Sequence, residues 1–258
     1  TKITIRRVNG ANLSGIEIDG ILLVNSGITP ATNVPSIAST VRANPSAGFS
    51  IVSVTEDAHA DGGTVGHGLN AKPAMIMEKR RDATAGWYVQ HSGLGDMSGS
   101  YLVLNDTNAK ATDNTWNLAE PTASVMSIDP GYLNGNTNAD VIYYCFAPVE
   151  GYSAMGKYTG NGSADGTFVY TGFEVAWLMV KSTSSGNWLV WDNKRSAYNL
   201  STNPLAPNDS NAEATGYDVD LLSNGFKLRD NESHLNGSTT AHIYLAFASN
   251  PFKTARAR

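Results

Sequence analysis

Apolar and polar residues follow one another along this chain in runs too short for long helices. Lys2-Ile-Thr-Ile-Arg6 alternates cleanly, and Trp87 and Val89 alternate with Tyr88 and Gln90. A period of two puts successive side chains on opposite faces of a half-buried strand. Met75-Ile-Met-Glu-Lys79 and Leu178-Met-Val-Lys181 are short apolar runs ending in charge, and Ile16 to Val24 reads as two strands around Asp19-Gly20. Asn-Gly pairs begin at Asn9, Asn134, Asn161, Asn224 and Asn236. Both residues tolerate positive φ, so these pairs favour tight hairpins. Short strands between such turn signals predict an all-β sandwich or jelly roll. Thr107–Asn114 and Asp209–Thr215 contain Ala and an Asp or Asn suited to capping, and are the two expected short helices.

The pattern also repeats. Pro73-Ala-Met-Ile-Met-Glu-Lys79 matches Val175-Ala-Trp-Leu-Met-Val-Lys181, and Gly86-Trp-Tyr-Val89 matches Asn187-Trp-Leu-Val190. Asn105-Asp-Thr-Asn-Ala109 matches Asn208-Asp-Ser-Asn-Ala212. Leu133-Asn-Gly135 and Ile142-Tyr-Tyr-Cys-Phe-Ala147 match Leu235-Asn-Gly237 and Ile243-Tyr-Leu-Ala-Phe-Ala248. The offset stays at about 101 to 103 residues, the size of a small domain and too long for a solenoid unit. The expectation is therefore two tandem, duplicated sandwich-like β domains, over 47–152 and 153–253. Residues 30–46 hold three prolines and many small polar residues and read as an extended linker. Residues 1–29 form too few strands for a core of their own. This hairpin segment is expected to close a preceding domain or to pair with a neighbouring subunit, and 254–258 is a basic tail.

Composition narrows the function. Asp, Glu, Lys and Arg make up 16% of the chain, against roughly 25% in an average soluble protein, and Gly, Asn, Ser and Thr take their place. A net charge of −5 and a pI near 5.5 argue against a basic nucleic-acid surface. No apolar run approaches the roughly 20 residues of a membrane helix. Cys145, the single cysteine, lies in the apolar run Val141-Ile-Tyr-Tyr-Cys-Phe146 and reads as a buried, inert thiol.

The two copies supply an internal comparison. Trp87 and Trp188, Val89 and Val190, Trp116 and Tyr217, and Phe146 and Phe247 keep their character and read as core positions. Gln90 becomes Trp191, Val141 becomes His242 and His91 becomes Asp192, so Trp191, His242 and His91 are the candidate ligand-binding residues. With Trp188 facing inward, alternation turns Trp191 to the opposite side. There it offers a stacking surface for a sugar or a partner, or packs against the neighbouring copy or another subunit.

The five histidines lack metal-ligand spacing, so no metal or cofactor is expected. Gly160-Asn-Gly-Ser-Ala-Asp-Gly166 lacks the ending of a phosphate loop and suits a hairpin loop, although its Asp165, like Asp61, is a conceivable cation ligand. In Gly66-His67-Gly68 the imidazole sits on an expected turn. Nothing marks a catalytic constellation, and no enzyme is expected.

A set of segments stands out: Asn44-Pro-Ser-Ala-Gly-Phe-Ser-Ile-Val52, Thr64-Val-Gly-His-Gly-Leu69, Lys79-Arg-Arg-Asp82, His91-Ser-Gly-Leu94, Tyr143-Tyr-Cys-Phe-Ala147, Glu150-Gly-Tyr152 and Tyr158-Thr-Gly-Asn-Gly-Ser-Ala-Asp-Gly166. Together they resemble a C-terminal module of bacteriophage tail-fibre proteins, common in phages of marine bacteria and cyanobacteria. Gly15 to Val24 is similar to the closing hairpin of a lectin-like domain that often precedes this module. The resemblance implies a virion protein of the phage tail, extracellular when assembled and commonly a homotrimer. Its implied partners are other tail proteins and a host surface glycan or protein. A structural tail adaptor or virion decoration protein is one alternative role, and a tail-associated polysaccharide depolymerase is another.

Overall fold

The computed structural model describes residues 3–6, 15–18, 21–24, 34–56, 63–112, 119–128, 139–196 and 198–251. The chain divides into two compact units, Thr1–Val34 and Pro35–Arg258. In the first, β1 (Ile3–Arg6), β2 (Gly15–Ile18) and β3 (Ile21–Val24) pair antiparallel in chain order.

The second unit is an all-β sandwich built from antiparallel sheets. Its first half contains β4 (Thr40–Asn44), β5 (Phe49–Glu56), β6 (Thr64–Gly66), β7 (Met75–Arg80), β8 (Trp87–His91), β9 (Ser100–Val103), β10 (Ala111–Thr112), β11 (Val125–Ser127) and β12 (Ala139–Phe146). Its second half contains β13 (Ser153–Thr159), β14 (Phe168–Tyr170), β15 (Val175–Ser182), β16 (Trp188–Asp192), β17 (Val219–Leu222), β18 (Gly225–Leu228) and β19 (Ala241–Ala248). A single helical turn, α1 (Ser233–Asn236), precedes β19.

A seven-stranded sheet runs β10-β9-β8-β7-β12-β5-β4, and a four-stranded sheet runs β13-β19-β15-β16. Small outer sheets, β11-β6 and β14-β18-β17, flank them. The order β8-β7-β12-β5 in one large sheet equals β16-β15-β19-β13 in the other, and the sequence-matched segments of the first three strands stand in matching places. The repeated Asn-Asp-x-Asn motif makes the same bonds in both halves. Asn105 Oδ1 accepts the Trp87 amide and Asn208 Oδ1 the Trp188 amide, each at 2.8 Å.

Three buried clusters fix the layering. Val65 and Met126 of the outer pair pack on Val52, Ile76, Val141 and Cys145 of the seven-stranded sheet. The opposite face of that sheet sends Met75, Val89 and Leu102 against Met179, Trp188, Val190, Ile243 and Leu245. The far side of the four-stranded sheet meets Val169, Phe226 and Leu228 of the other outer sheet. Each large sheet is therefore covered on both faces over part of its width. Burying one Leu, such as Leu178 or Leu189, contributes ~1.5–3 kcal/mol. The halves do not pack as separate bodies, because the middle cluster draws on both. Hydrogen bonds also join them: Trp188 Nε1 donates to Val103 O at 2.9 Å, and Lys110 N to Thr183 O at 2.8 Å.

Two expectations are corrected. Residues 40–46 are no linker. Asn44 caps the turn Pro45–Ala47 through its Oδ1, and Gly48 at φ 62° completes the reversal that pairs β4 with β5. A Cβ at Gly48 would lie 2.1 Å from Ala147 O, so close approach as well as φ requires glycine there. Neither expected helix is present among the described residues. Asp106 and Asp209 spend their carboxylates on groups one or two residues further on: Asp106 accepts from Thr107 N and Asn108 Nδ2, Asp209 from Asn211 N and Nδ2. Local bonds of this kind hold a loop open against helix formation.

Candidate functional site

The seven-stranded sheet is three strands wider than the sheet that covers it, an excess of ~14 Å at the usual strand spacing. Alternation sends Met77 of β7, Trp87 of β8, Phe49 of β5 and Tyr144 and Phe146 of β12 to this inner face. Toward β5 they run out from under the covering sheet. Tyr152, in the connection between the halves, and Phe247 of β19 approach from beside them. Together with Asn44 and Ala47 they line an open groove of about 530 Å³.

Six of its nine lining residues are aromatic. The rings are fixed in pairs. Trp87 and Tyr144 stack with centroids 6.1 Å apart and planes 25° apart, Phe49 tilts on Phe146 at 4.9 Å, and Tyr152 tilts on Phe247 at 5.7 Å. Lys79, whose Nζ donates to Ala85 O, also lies 5.8 Å from the Trp87 ring centroid, a cation–π distance. The indole Nε1–H of Trp87 and the Tyr144 hydroxyl have no partner among the described residues. No Asp or Glu lines the groove. Flat π-faces with polar tips suit a ligand that pairs a C–H face with hydroxyl groups, or an apolar partner surface.

Of the expected core positions, Val89, Trp188 and Val190 are buried. Phe146 and Phe247 are half-buried against the middle cluster. Trp87 is half-buried and faces the groove, while Trp116 lies outside the described residues. The groove was therefore reached in the sequence only as packing.

The three candidate ligand residues are interior. Trp191 does point away from Trp188, but that face is a second core rather than solvent. Trp191 is 1% exposed, packs in the cluster beneath the outer sheet, and donates Nε1–H to Tyr217 O at 3.0 Å. This corrects the exposed reading, and the packing is against the outer sheet of its own half rather than the neighbouring copy or another subunit.

His91 is fully buried between the large sheets. Its Nδ1 accepts Gly93 N–H at 2.9 Å, so Nε2–H donates to Tyr244 O at 3.1 Å. Burial brings its pKa down to about 4, against the hydrogen bond to Tyr244. His242 is fully buried too, with its ring parallel to Tyr158 at 4.9 Å and Nδ1 on Thr240 O. Its pKa is also lowered, chiefly by burial. None of the three reaches the groove.

His67 repeats the arrangement of His91, with Nδ1 accepting Leu69 N–H and Nε2 on Thr122 O. Cys145 is buried, and burial pushes its thiol up to about 12. Asp165 pairs with Lys227 Nζ at 2.8 Å, so its carboxylate is engaged by a cation of the chain itself; Asp61 lies outside the described residues. No group of three metal-ligating side chains occurs among the described residues. No helix among them is long and apolar enough to cross a membrane.

A missed feature is Lys181, fully buried with its ammonium on Ser182 O and Ser184 O at 2.7 and 2.9 Å. Burial lowers its pKa to about 8. The ending charge of its apolar run was visible in the sequence, but not that the strand carries it inside.

No curated protein and no solved structure matches the chain. One family profile does, over residues 11–251, and the chain accordingly belongs to the family described as the domain of unknown function DUF7483.

Proposed function

We propose that this chain is a non-enzymatic attachment module of a bacteriophage tail fibre, homo-oligomeric in the virion, and that the aromatic groove is its host-facing surface. The groove carries the proposal: an open cleft lined by six rings and no carboxylate binds but offers no acid or base. The tail-fibre resemblance converges on it. Asn44, Ala47, Phe49, Tyr144, Phe146 and Tyr152, six of the nine lining residues, lie in the segments that carry that resemblance. Aromatic faces stack on the C–H faces of surface glycans at little entropic cost, because Trp and Tyr have few rotamers to lose.

The test is binding of the labelled, purified chain to bacteria susceptible to the parent phage, with competition against infection. Saturable binding that blocks infection supports an attachment role. Absence of both on every susceptible strain points instead to a structural adaptor whose groove is covered by a neighbouring subunit. Release of soluble oligosaccharide from host envelopes would revive the depolymerase reading.

A further inference from the structure

A second cleft, chemically unlike the groove, opens in the second half. It is about 550 Å³ and lies where β15 begins, β16 ends and the edge strand β17 passes. Glu174, Asn193, Lys194, Tyr198, Asn199 and Ser201 line it.

Its frame is rigid. Asp192 accepts Lys194 N–H and Arg195 N–H, both at 2.9 Å, and Arg195 bridges to Glu213 Oε1 at 2.9 Å and to Val190 O at 3.0 Å. The Asn199 carboxamide imitates a neighbouring strand, accepting Leu221 N–H at 2.9 Å and donating to Leu221 O at 3.0 Å. Other groups remain free for a ligand. The Tyr198 ring is 88% exposed, and Glu174 and Lys194 have no ion pair among the described residues. Ser201 is 1% exposed at the cleft wall, and its hydroxyl has no hydrogen-bond partner among the described residues. A hidden hydroxyl without a partner is a cost that structures rarely keep without use.

We propose that this cleft is a saccharide subsite. Tyr198 stacks on one face of a pyranose ring. Glu174 and the Asn193 Oδ1 accept its hydroxyl protons, and Lys194 donates. Ser201 pairs with the innermost sugar hydroxyl, which requires the Tyr198–Leu200 segment to shift and the two Asn199–Leu221 bonds to yield. A sugar satisfies each of these groups, having a C–H face for the ring and both donors and acceptors at its rim. The subsite stands apart from the Trp87 groove and does not depend on it.

The experiment is saturation-transfer NMR on the full chain with glucose, galactose, mannose and N-acetylglucosamine, followed by titration of any sugar that responds. In the Trp87→Ala background, where the groove lacks its stacking ring, the expected result is transfer to the ring protons of at least one sugar, abolished when Tyr198→Ala is added. Ser201→Ala should weaken that sugar about tenfold, the worth of one hydrogen bond, while raising the thermal midpoint because the orphan hydroxyl is gone. No transfer from any of the four sugars overturns the proposal. So does transfer that survives Tyr198→Ala in that background, or an unchanged affinity in Ser201→Ala. Loss in Trp87→Ala instead would move the sugar to the groove, overturning the subsite while sparing the attachment reading.

Discussion

Acid should loosen the protein through His91. The imidazole is neutral and fully buried between the two large sheets, its tautomer fixed by Gly93 N–H on one side and Tyr244 O on the other. Its pKa falls from an ordinary 6.5 to about 4. In the unfolded chain the ring takes its proton near 6.5, so between pH 6.5 and 4 the unfolded state holds more protons. Stability therefore rises with pH across that window: it is intact above 6.5 and lost as pH falls toward 4. A gap of that size is worth about 3 kcal/mol between pH 7 and pH 4. The carboxyls of Asp82 and Asp165, held below 3.8 chiefly by Arg80 and Lys227, titrate lower and add little there.

The assay is urea unfolding followed by tryptophan fluorescence at half-unit steps from pH 7 to 4, for the wild type and His91→Gln. The glutamine keeps a donor for Tyr244 O but cannot take a proton. His91→Gln should lose about 1–2 kcal/mol at pH 7 through imperfect packing. Its decline toward pH 4 should be shallower by about 3 kcal/mol, with His67 and His242 still contributing the rest. Parallel pH profiles for the two proteins would refute the reasoning, since His91 would then not be the buried neutral group described.

Three further outcomes are expected. Trp188→Phe leaves Val103 O without its indole donor and opens a small void in the shared core, so its denaturation midpoint should fall by about 2–3 kcal/mol equivalent. Differential scanning calorimetry should still show one transition, because that core belongs to both halves. Asn236→Ala removes a fully buried carboxamide that donates to Asn161 Oδ1, Ser163 O and Asp230 O, and should cost about 3 kcal/mol in the same urea assay. Asn199→Ala uncovers the β17 edge, which should cost about 1 kcal/mol and raise concentration-dependent light scattering.

Strands and turns were legible because period-two alternation and Asn-Gly pairs act locally. Trp87 and Val89 share one face of β8, and β17 turns into β18 at Ser223-Asn224, beside the Asn-Gly pair although neither of its residues takes positive φ. What the pattern does not encode is how many sheets cover a face. Alternation separated Trp188 from Trp191 correctly, yet nothing in β16 shows that an outer sheet waits on the far side. The same gap hid the groove. Trp87, Phe146 and Phe247 read as core because they match across the repeat, and only the unequal widths of the two large sheets leave their rings partly open. The tandem pattern likewise marks where strands recur but not that both halves fill one middle core. The 40–46 segment was misjudged for a related reason. Its Pro and small residues look like linker, but Asn44 and Gly48 make them a tight reversal into an edge strand.

The central claim, that the aromatic groove meets the host, is tested most directly by cell-binding isotherms of the wild type and Trp87→Ala on one susceptible strain, with circular dichroism confirming that the variant is folded. Losing the stacking ring should weaken binding by at least tenfold, about 1.4 kcal/mol or more. An isotherm for folded Trp87→Ala that overlays the wild type would contradict it.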